Sequence, residues 1–456
     1  MNSKLTLNLL QKFESQNVTF CEVDGSWPIV WERAKGVHVW DADRKKYLDL
    51  TAAFGVAAAG HANASVVRAG QRQMAKLMHA MGDVHPHALK AKLARELSRI
   101  TFERWTRGRQ KGKVLFGCSG FEAVEAALKT AMLATGKRGV IAFEGAYHGV
   151  GYGALNATHR DIFRNPFRTQ LREFGHFLPF PVAADVRRRG ARMDENLRLL
   201  TSAATKLFQR EKIGAVLVEP IQGRGGCNVP PPEFLPLLRK LCDRHGALLI
   251  VDEVYTGFGR TGTWFACEHS GVVPDLICLG KALTGGFPMS ACVGRAKVMD
   301  AWPPSEGEAI HTSTFLGHPV GCAMALAQIA EIKRLKLCER SAKAGRRLSS
   351  LLQQVAVDVN RRNSGKGKFA RTDVHGYEAS ARGVGLMAAL ELRRGDGSPA
   401  TRKTLDLVKT MLRCGFILLP EGEHANVVSF SPPLTISERQ LVETLRVLAE
   451  ELWRLL

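Results

Sequence analysis

Long apolar runs are absent from this 456-residue chain. No stretch approaches the ~20 residues that cross a bilayer, so no membrane partner is expected. Aromatic residues are scarce at 7%, and acids are few: 43 Asp and Glu face 64 Lys and Arg, a formal charge of +21. Such an excess invites a nucleic-acid reading. The cations are spread thinly, however, with short runs only at Arg187-Arg188-Arg189, residues 361–368 and Arg393-Arg394. No basic helix or base-stacking motif accompanies them, so they read as solvated surface and no nucleic-acid partner is expected. Ten cysteines show no paired spacing. Cys118, Cys242, Cys278, Cys292 and Cys322 lie in apolar surroundings, where thiols behave as small hydrophobes. That fits a reducing, cytoplasmic setting. The first ten residues are too broken by polar side chains for a signal peptide, and no metal site is assigned.

What is present is a chain with 45% hydrophobic residues and 44 glycines, enough for a large core and more than one domain. Short β-type pieces over the first ~50 residues predict a small antiparallel segment. Apolar spacing predicts helices over 65–77 and 88–100. The pattern then alternates: strands over 114–116, 139–143, 215–218, 247–251 and 275–279, with helices over 121–134 and 233–245. Such alternation predicts a mostly parallel sheet covered by helices on both faces. Residues 181–212 read as an excursion between strands. A long helix over 317–337 leads into a C-terminal α+β unit. That unit has helices over 341–357, 401–414 and 437–455, and strands over 382–392, 416–419 and 426–430. The division expected is an N-terminal segment (1–75), a large domain (76–330) and a small C-terminal domain (331–456).

Four features at predicted strand ends carry chemistry. Lys281 follows the apolar run Leu276-Ile277-Cys278-Leu279, and Asp252 ends the run Leu248-Leu249-Ile250-Val251. A lone strand-end lysine would ordinarily just reach solvent. A lysine and an aspartate so placed meet the needs of a pyridoxal 5'-phosphate site: the amine forms a Schiff base, and the carboxylate keeps the pyridine nitrogen protonated. Ser119-Gly120-Phe121 opens a helix after a strand, where free amides make a phosphate cradle. Gly145-Ala146-Tyr147-His148-Gly149 supplies an aromatic that can stack on a flat ring. Glu219 in Glu219-Pro220-Ile221-Gln222-Gly223 is a second acid where ligands bind in open α/β sheets.

In this order these segments resemble the class III pyridoxal-phosphate aminotransferases. The likeness continues through Asp252-Glu253-Val254, Gly257-Phe258-Gly259-Arg260-Thr261-Gly262, His311-Thr312-Ser313-Thr314-Phe315 and Ser431-Pro432-Pro433. It implies an α/β fold of type I: a mainly parallel seven-stranded sheet in a large cofactor domain, plus a small α+β domain from both chain ends. It implies a homodimer or dimer of dimers. The residue roles it implies are Ser119, Gly120 and Phe121 at the phosphate, Tyr147 stacked on the ring with His148 beside it, and Val254 packed on the ring. Asp252 pairs with the ring nitrogen, with Glu219 in support, and Lys281 forms the Schiff base. Thr314 reaches the phosphate in the neighbouring subunit. The activity implied is transfer of an amino group from an amine or non-α amino acid to a keto acid, through pyridoxamine phosphate.

The sequence departs from that pattern at the substrate end. Phe121 stands where the family often has Thr, and Tyr255 where Gln is common. Arg224 takes the place of a Glu that pairs with a carboxylate-binding Arg on a C-terminal strand. Here that strand reads Leu418-Leu419-Pro420-Glu421-Gly422, without Arg. Arg224 is therefore the candidate for a substrate carboxylate, with Arg164 and Arg168 as weaker ones. Alternatives within the family are an aminomutase, decarboxylase or epimerase. A basic binding protein that merely kept the fold is disfavoured by the intact Lys281 and Asp252.

Overall fold

The computed structural model describes residues 2–22, 25–183, 193–363 and 376–456. The basic run at 187–189, part of the 181–212 excursion and most of the 361–368 run lie outside them. Three strands near the N-terminus, β1 (Trp31–Lys35), β2 (His38–Asp41) and β3 (Lys46–Asp49), form the expected antiparallel segment. Lys45 and Arg44 turn the chain between β2 and β3, where Asp41 Oδ1 accepts from the amides of Asp43 and Lys45 at 3.0 and 2.8 Å.

The central strands are β4 (Gly112–Gly117), β5 (Gly139–Phe143), β6 (Gly175–Leu178), β7 (Ile213–Val218), β8 (Leu248–Asp252), β9 (Leu276–Leu279) and β10 (Ser290–Arg295). They make one seven-stranded sheet in the order β4-β10-β9-β8-β7-β5-β6. Only β10 runs against its neighbours. Strands β5, β7, β8 and β9 are almost wholly buried because helices cover both faces, which is why they read as continuous apolar runs rather than alternating ones. The Gly120–Thr135 helix packs its alanine-rich side on the sheet, and the Phe234–His245 helix covers the opposite core.

The C-terminal part contributes β11 (Tyr377–Val384), β12 (Met387–Arg394), β13 (Phe416–Ile417), β14 (Leu419–Glu421) and β15 (Val427–Phe430). A four-stranded sheet orders them β11-β12-β15-β14, while β13 leaves it to pair in parallel with β3. Both chain ends thus meet in one layer, as expected of the small domain.

Two expectations need correction. The helix foreseen over 317–337 stops at Arg334 and a second runs Leu337–Asn363. The break is Lys336 at φ 50°, a left-handed turn with no glycine or proline to announce it. The strand foreseen over 382–392 is a hairpin, with Val384 opposite Met387 across a turn through Gly385 at φ 60°. Strands β6 and β10 and the Ser3–Phe13 helix carried no clear periodic signal.

Candidate active site

Strands β4, β5, β7, β8 and β9 all end at one edge of the central sheet, and the loops they feed converge there. This is the crevice where open α/β sheets hold ligands. Asp252 is the last residue of β8, opposite Cys278 of β9. Its Oδ2 lies 2.8 Å from His148 Nδ1, and its Oδ1 accepts from the Val254 amide at 3.1 Å. The His148 amide donates to Thr158 Oγ1 at 2.9 Å. Glu219, just past β7, accepts from the Tyr147 amide at 3.0 Å and the Gly223 amide at 2.9 Å. Burial raises its carboxyl above the ordinary range, with His148 opposing that shift and Asp252 adding to it.

Lys281 follows β9 after one glycine and takes φ 44°, a backbone region that costs most residues of order 1–2 kcal/mol. Its Nζ sits 3.8 Å from the centre of the Tyr255 ring, a cation–π contact. Burial of the amine lowers it to about 8, against the pull of Asp252, Glu219 and Glu421. The Tyr255 hydroxyl meets Ser431 Oγ at 2.8 Å, and Ser431 donates to the Thr51 carbonyl at 3.2 Å. A Cβ on Gly55 or Gly223 would stand 2.5 or 2.2 Å from the Tyr255 ring. Those two glycines make room for a ring where the resemblance leads one to expect an amide.

The Gly120–Thr135 helix begins at the same edge, with Ser119 as N-cap. Glu122 accepts from the amides of Cys118 and Ser119 and its own amide donates to the Ser119 carbonyl at 3.1 Å, while the Gly120 and Phe121 amides have no intrahelical acceptor. Ser119 Oγ is buried without a hydrogen-bond partner, as is His148 Nε2. A Cβ on Gly120 would lie 3.0 Å from Val254, and one on Gly280 3.3 Å from it, so Val254 and the two glycines form one wall. Phe121 turns away from the cradle and packs under the following loop, where a Cβ on Gly149 would be 2.3 Å from Phe121 Cβ. Its missing hydroxyl is thus exchanged for packing.

These groups fit pyridoxal 5'-phosphate. A desolvated lysine, a histidine-backed aspartate, an unpartnered buried hydroxyl at a helix N-terminus and an aromatic on the neighbouring loop are the donor set it requires.

Sequence reasoning placed Ser119, Gly120, Phe121, Tyr147, His148, Glu219, Asp252, Val254 and Lys281 together, and they are together. Thr314 is not with them. It is exposed in the turn before the Pro319–Arg334 helix, and among the described residues no hydrogen bond or ion pair ties it to the strand-end group. Arg224 stands at the rim, with Cζ 4.9 Å from the centre of the Tyr147 ring. Arg164 turns to Phe177 at 4.8 Å and Arg168 pairs with Glu173 at 2.8 Å, so neither joins the rim. The sequence reading missed Arg160 and Phe163, which lie on the same loop. It noted Glu421 as part of a strand without the expected Arg, whereas Arg224, Lys281 and Arg160 all act on it electrostatically. The only signal for Arg160 and Phe163 was their position beyond the C-terminal end of β5. Arg382 braces the rim: its guanidinium donates to the carbonyls of Gly226 and Cys227 and to Glu391 at 2.6 Å.

Comparison with known proteins identifies the family. The family "Aminotransferase class-III" matches residues 21–452. The 5-aminovalerate aminotransferase of Pseudomonas aeruginosa is 36% identical over 428 residues, covering 93% of each chain. The putrescine aminotransferase of Pectobacterium atrosepticum is 36% identical over 428 residues, 92% of this chain and 82% of its own. Among solved structures, an amine transaminase from an uncultivated Pseudomonas species with PLP bound superposes with a TM-score of 0.83. It is 30% identical, and the match covers 97% of this chain and 98% of that one. The chain belongs to the class III aminotransferases, and is a pyridoxal-phosphate-dependent enzyme of fold type I that moves amino groups to keto acids.

Proposed function

We propose that the amino donor is a terminal amine or a non-α amino acid, as in the 5-aminovalerate and putrescine aminotransferases it is similar to. The donor class rests on those relatives, and the observation that carries the amino-transfer chemistry is Lys281 Nζ poised 3.8 Å over Tyr255, beside the 2.8 Å His148–Asp252 pair. When bound, the cofactor supplies an electron sink that acidifies the hydrogen on the amine-bearing carbon. Lys281 Nζ, lowered to about 8, is the group that would hold and move that proton. Asp252 would hold the ring nitrogen in its protonated form, and His148 fixes the orientation of Asp252. Ser119 Oγ and the Gly120 and Phe121 amides would hold the phosphate at the helix N-terminus. Tyr147 and Val254 would cover the ring, and Glu219 keeps the Tyr147 and Gly223 amides in place.

In this reading the enzyme works as a homodimer or dimer of dimers in the cytoplasm. The exposed Thr314 then reaches the partner subunit's phosphate site, and residues 1–75 and 331–456 form one small domain around the 76–330 cofactor domain. A donor panel of 5-aminovalerate, 4-aminobutyrate, ornithine, putrescine and arylalkylamines, scored by keto acid consumption, tests the donor class. Turnover confined to α-amino acids sinks it. Carbon dioxide release, or an isomerised product without a keto acid, points to the decarboxylase or aminomutase alternatives.

A further inference from the structure

Beyond the strand-end cluster, two arginines converge on one aromatic ring. Arg160 Cζ lies 5.6 Å from the centre of the Phe163 ring, and Arg224 Cζ lies 5.8 Å from the same point. Neither guanidinium enters an ion pair or donates a side-chain hydrogen bond among the described residues, and the Nε of each is buried without a partner. Arg164 and Arg239 also carry an unpartnered buried Nε, but other guanidiniums near the sheet find an acid through their outer nitrogens. Arg382 pairs with Glu391 at 2.6 Å and Arg239 with Asp275 at 2.7 Å. Buried donors left unmet are costly, and two like charges at one ring add repulsion. Burial and Arg224 together push the Arg160 guanidinium below its ordinary range.

The backbone holds this arrangement in place. The Gly422 amide donates to the Arg224 carbonyl at 3.1 Å, locking the Arg224 turn to the end of β14. Glu421, the last residue of β14, is 7% exposed and is the acid that faces both arginines. Glu423 acts on Arg160 as well, so two guanidiniums and two acids meet at the rim, of which Glu421 is the buried one acting on both arginines and on Lys281.

We propose that Arg160 and Arg224 form a single subsite for one substrate carboxylate, walled by Tyr147 and Phe163 and balanced by Glu421 when no substrate is present. The subsite rests on the transaminase reading above, since the keto acid acceptor and a non-α amino acid donor each bring a carboxylate. A planar carboxylate meets the fork of a guanidinium with two parallel hydrogen bonds, and the unpartnered Nε atoms are donors it would satisfy. Glu421 gives the subsite its polarity: it discriminates against a second anion and welcomes the carboxylate only at the arginine face.

The test is calorimetric titration of the holoenzyme with valerate, and with valeramide as its uncharged counterpart. Arg160→Gln and Arg224→Gln should each weaken valerate binding about 10- to 100-fold, the range of a charge-assisted hydrogen bond, and leave valeramide unchanged. Arg224→Lys should recover only part of the loss. The proposal is overturned if wild-type protein does not bind valerate in preference to valeramide. It is equally overturned if valerate affinity survives in both glutamine variants, or if the two ligands weaken together. Wild-type turnover on the donor panel judges the functional reading separately, because the titration needs no turnover.

Discussion

The floor of the site and its rim are made from different materials. On the floor, each acid is answered by a group fixed at a strand end: Asp252 by His148 at 2.8 Å, Glu219 by two amides. Glu253 next to it accepts from Thr256 and from the amides of Ala266 and Cys267 at 2.9 and 2.8 Å. At the rim, loops carry Arg160 and Arg224 with donors unmet, and Glu421 stays buried among cations rather than amides. The two buried glutamates make the contrast compact: Glu253 and Glu421 are both pushed up to about 7 by burial. The first closes a structural loop, whereas the second faces a space meant for something else. Sheet geometry is committed to chemistry shared across the family, and the loops leave charge available for the substrate.

The largest expected effect lies on the floor. Lys281→Ala should lower kcat by roughly 10,000-fold, the loss of both nucleophile and proton carrier. A steady-state assay that finds it within tenfold of wild type would remove the floor's central residue. Asp252→Asn should cost roughly 1,000-fold in kcat with little change in the KM of the acceptor; a change in KM alone would move Asp252 to the rim's side of the comparison.

Next come residues that hold the floor together. Arg260 is 2% exposed and donates to the carbonyls of Leu386 and Pro432 at 3.0 and 2.5 Å. Arg260→Met should lower stability by about 3 kcal/mol in urea unfolding, because two buried carbonyls lose their donor. For Glu253 the sign follows from a folded value of about 7 against an ordinary 4.5. The native state keeps a proton that the unfolded chain releases, so this stabilisation is full below about 4.5 and lost as pH rises through about 7. Glu253→Gln, measured by denaturant midpoints from pH 4.5 to 8, should therefore flatten a decline on the order of 3 kcal/mol. An unchanged slope would mean Glu253 is ionised throughout and the floor carries no proton there. The smallest effect belongs to Tyr255. Tyr255→Phe keeps the ring under Lys281 and loses only the Ser431 contact, so stability should fall by about 1 kcal/mol and kcat by a few-fold. Tyr255→Leu should cost distinctly more if the ring face itself matters.

Much of the floor was legible in the sequence because its residues sit at the ends of apolar strands, and period and position alone locate them. Asp252, Lys281, Glu219 and the Ser119 cap all follow that rule. Strand β10 was not legible, since Ser290-Ala291-Cys292-Val293-Gly294-Arg295 has too little bulk to stand out and runs against its neighbours. The helix break at Lys336 was hidden because lysine is a good helix former that here takes φ 50°. Arg160 and Phe163 escaped for another reason: their meeting with Arg224 joins loops 64 positions apart, a juxtaposition that no local pattern encodes.

Arg382 gives the rim a mechanical anchor. It belongs to β11, and its guanidinium grips the carbonyls of Gly226 and Cys227, two and three residues past Arg224. A small tilt of the C-terminal sheet would pull on that grip and be transmitted to Arg224 as a change of reach. The carboxylate subsite is thus geared to the small domain, while Lys281 rides on the central sheet. Movement between the two layers would change which substrates are held without disturbing the group that reacts with them.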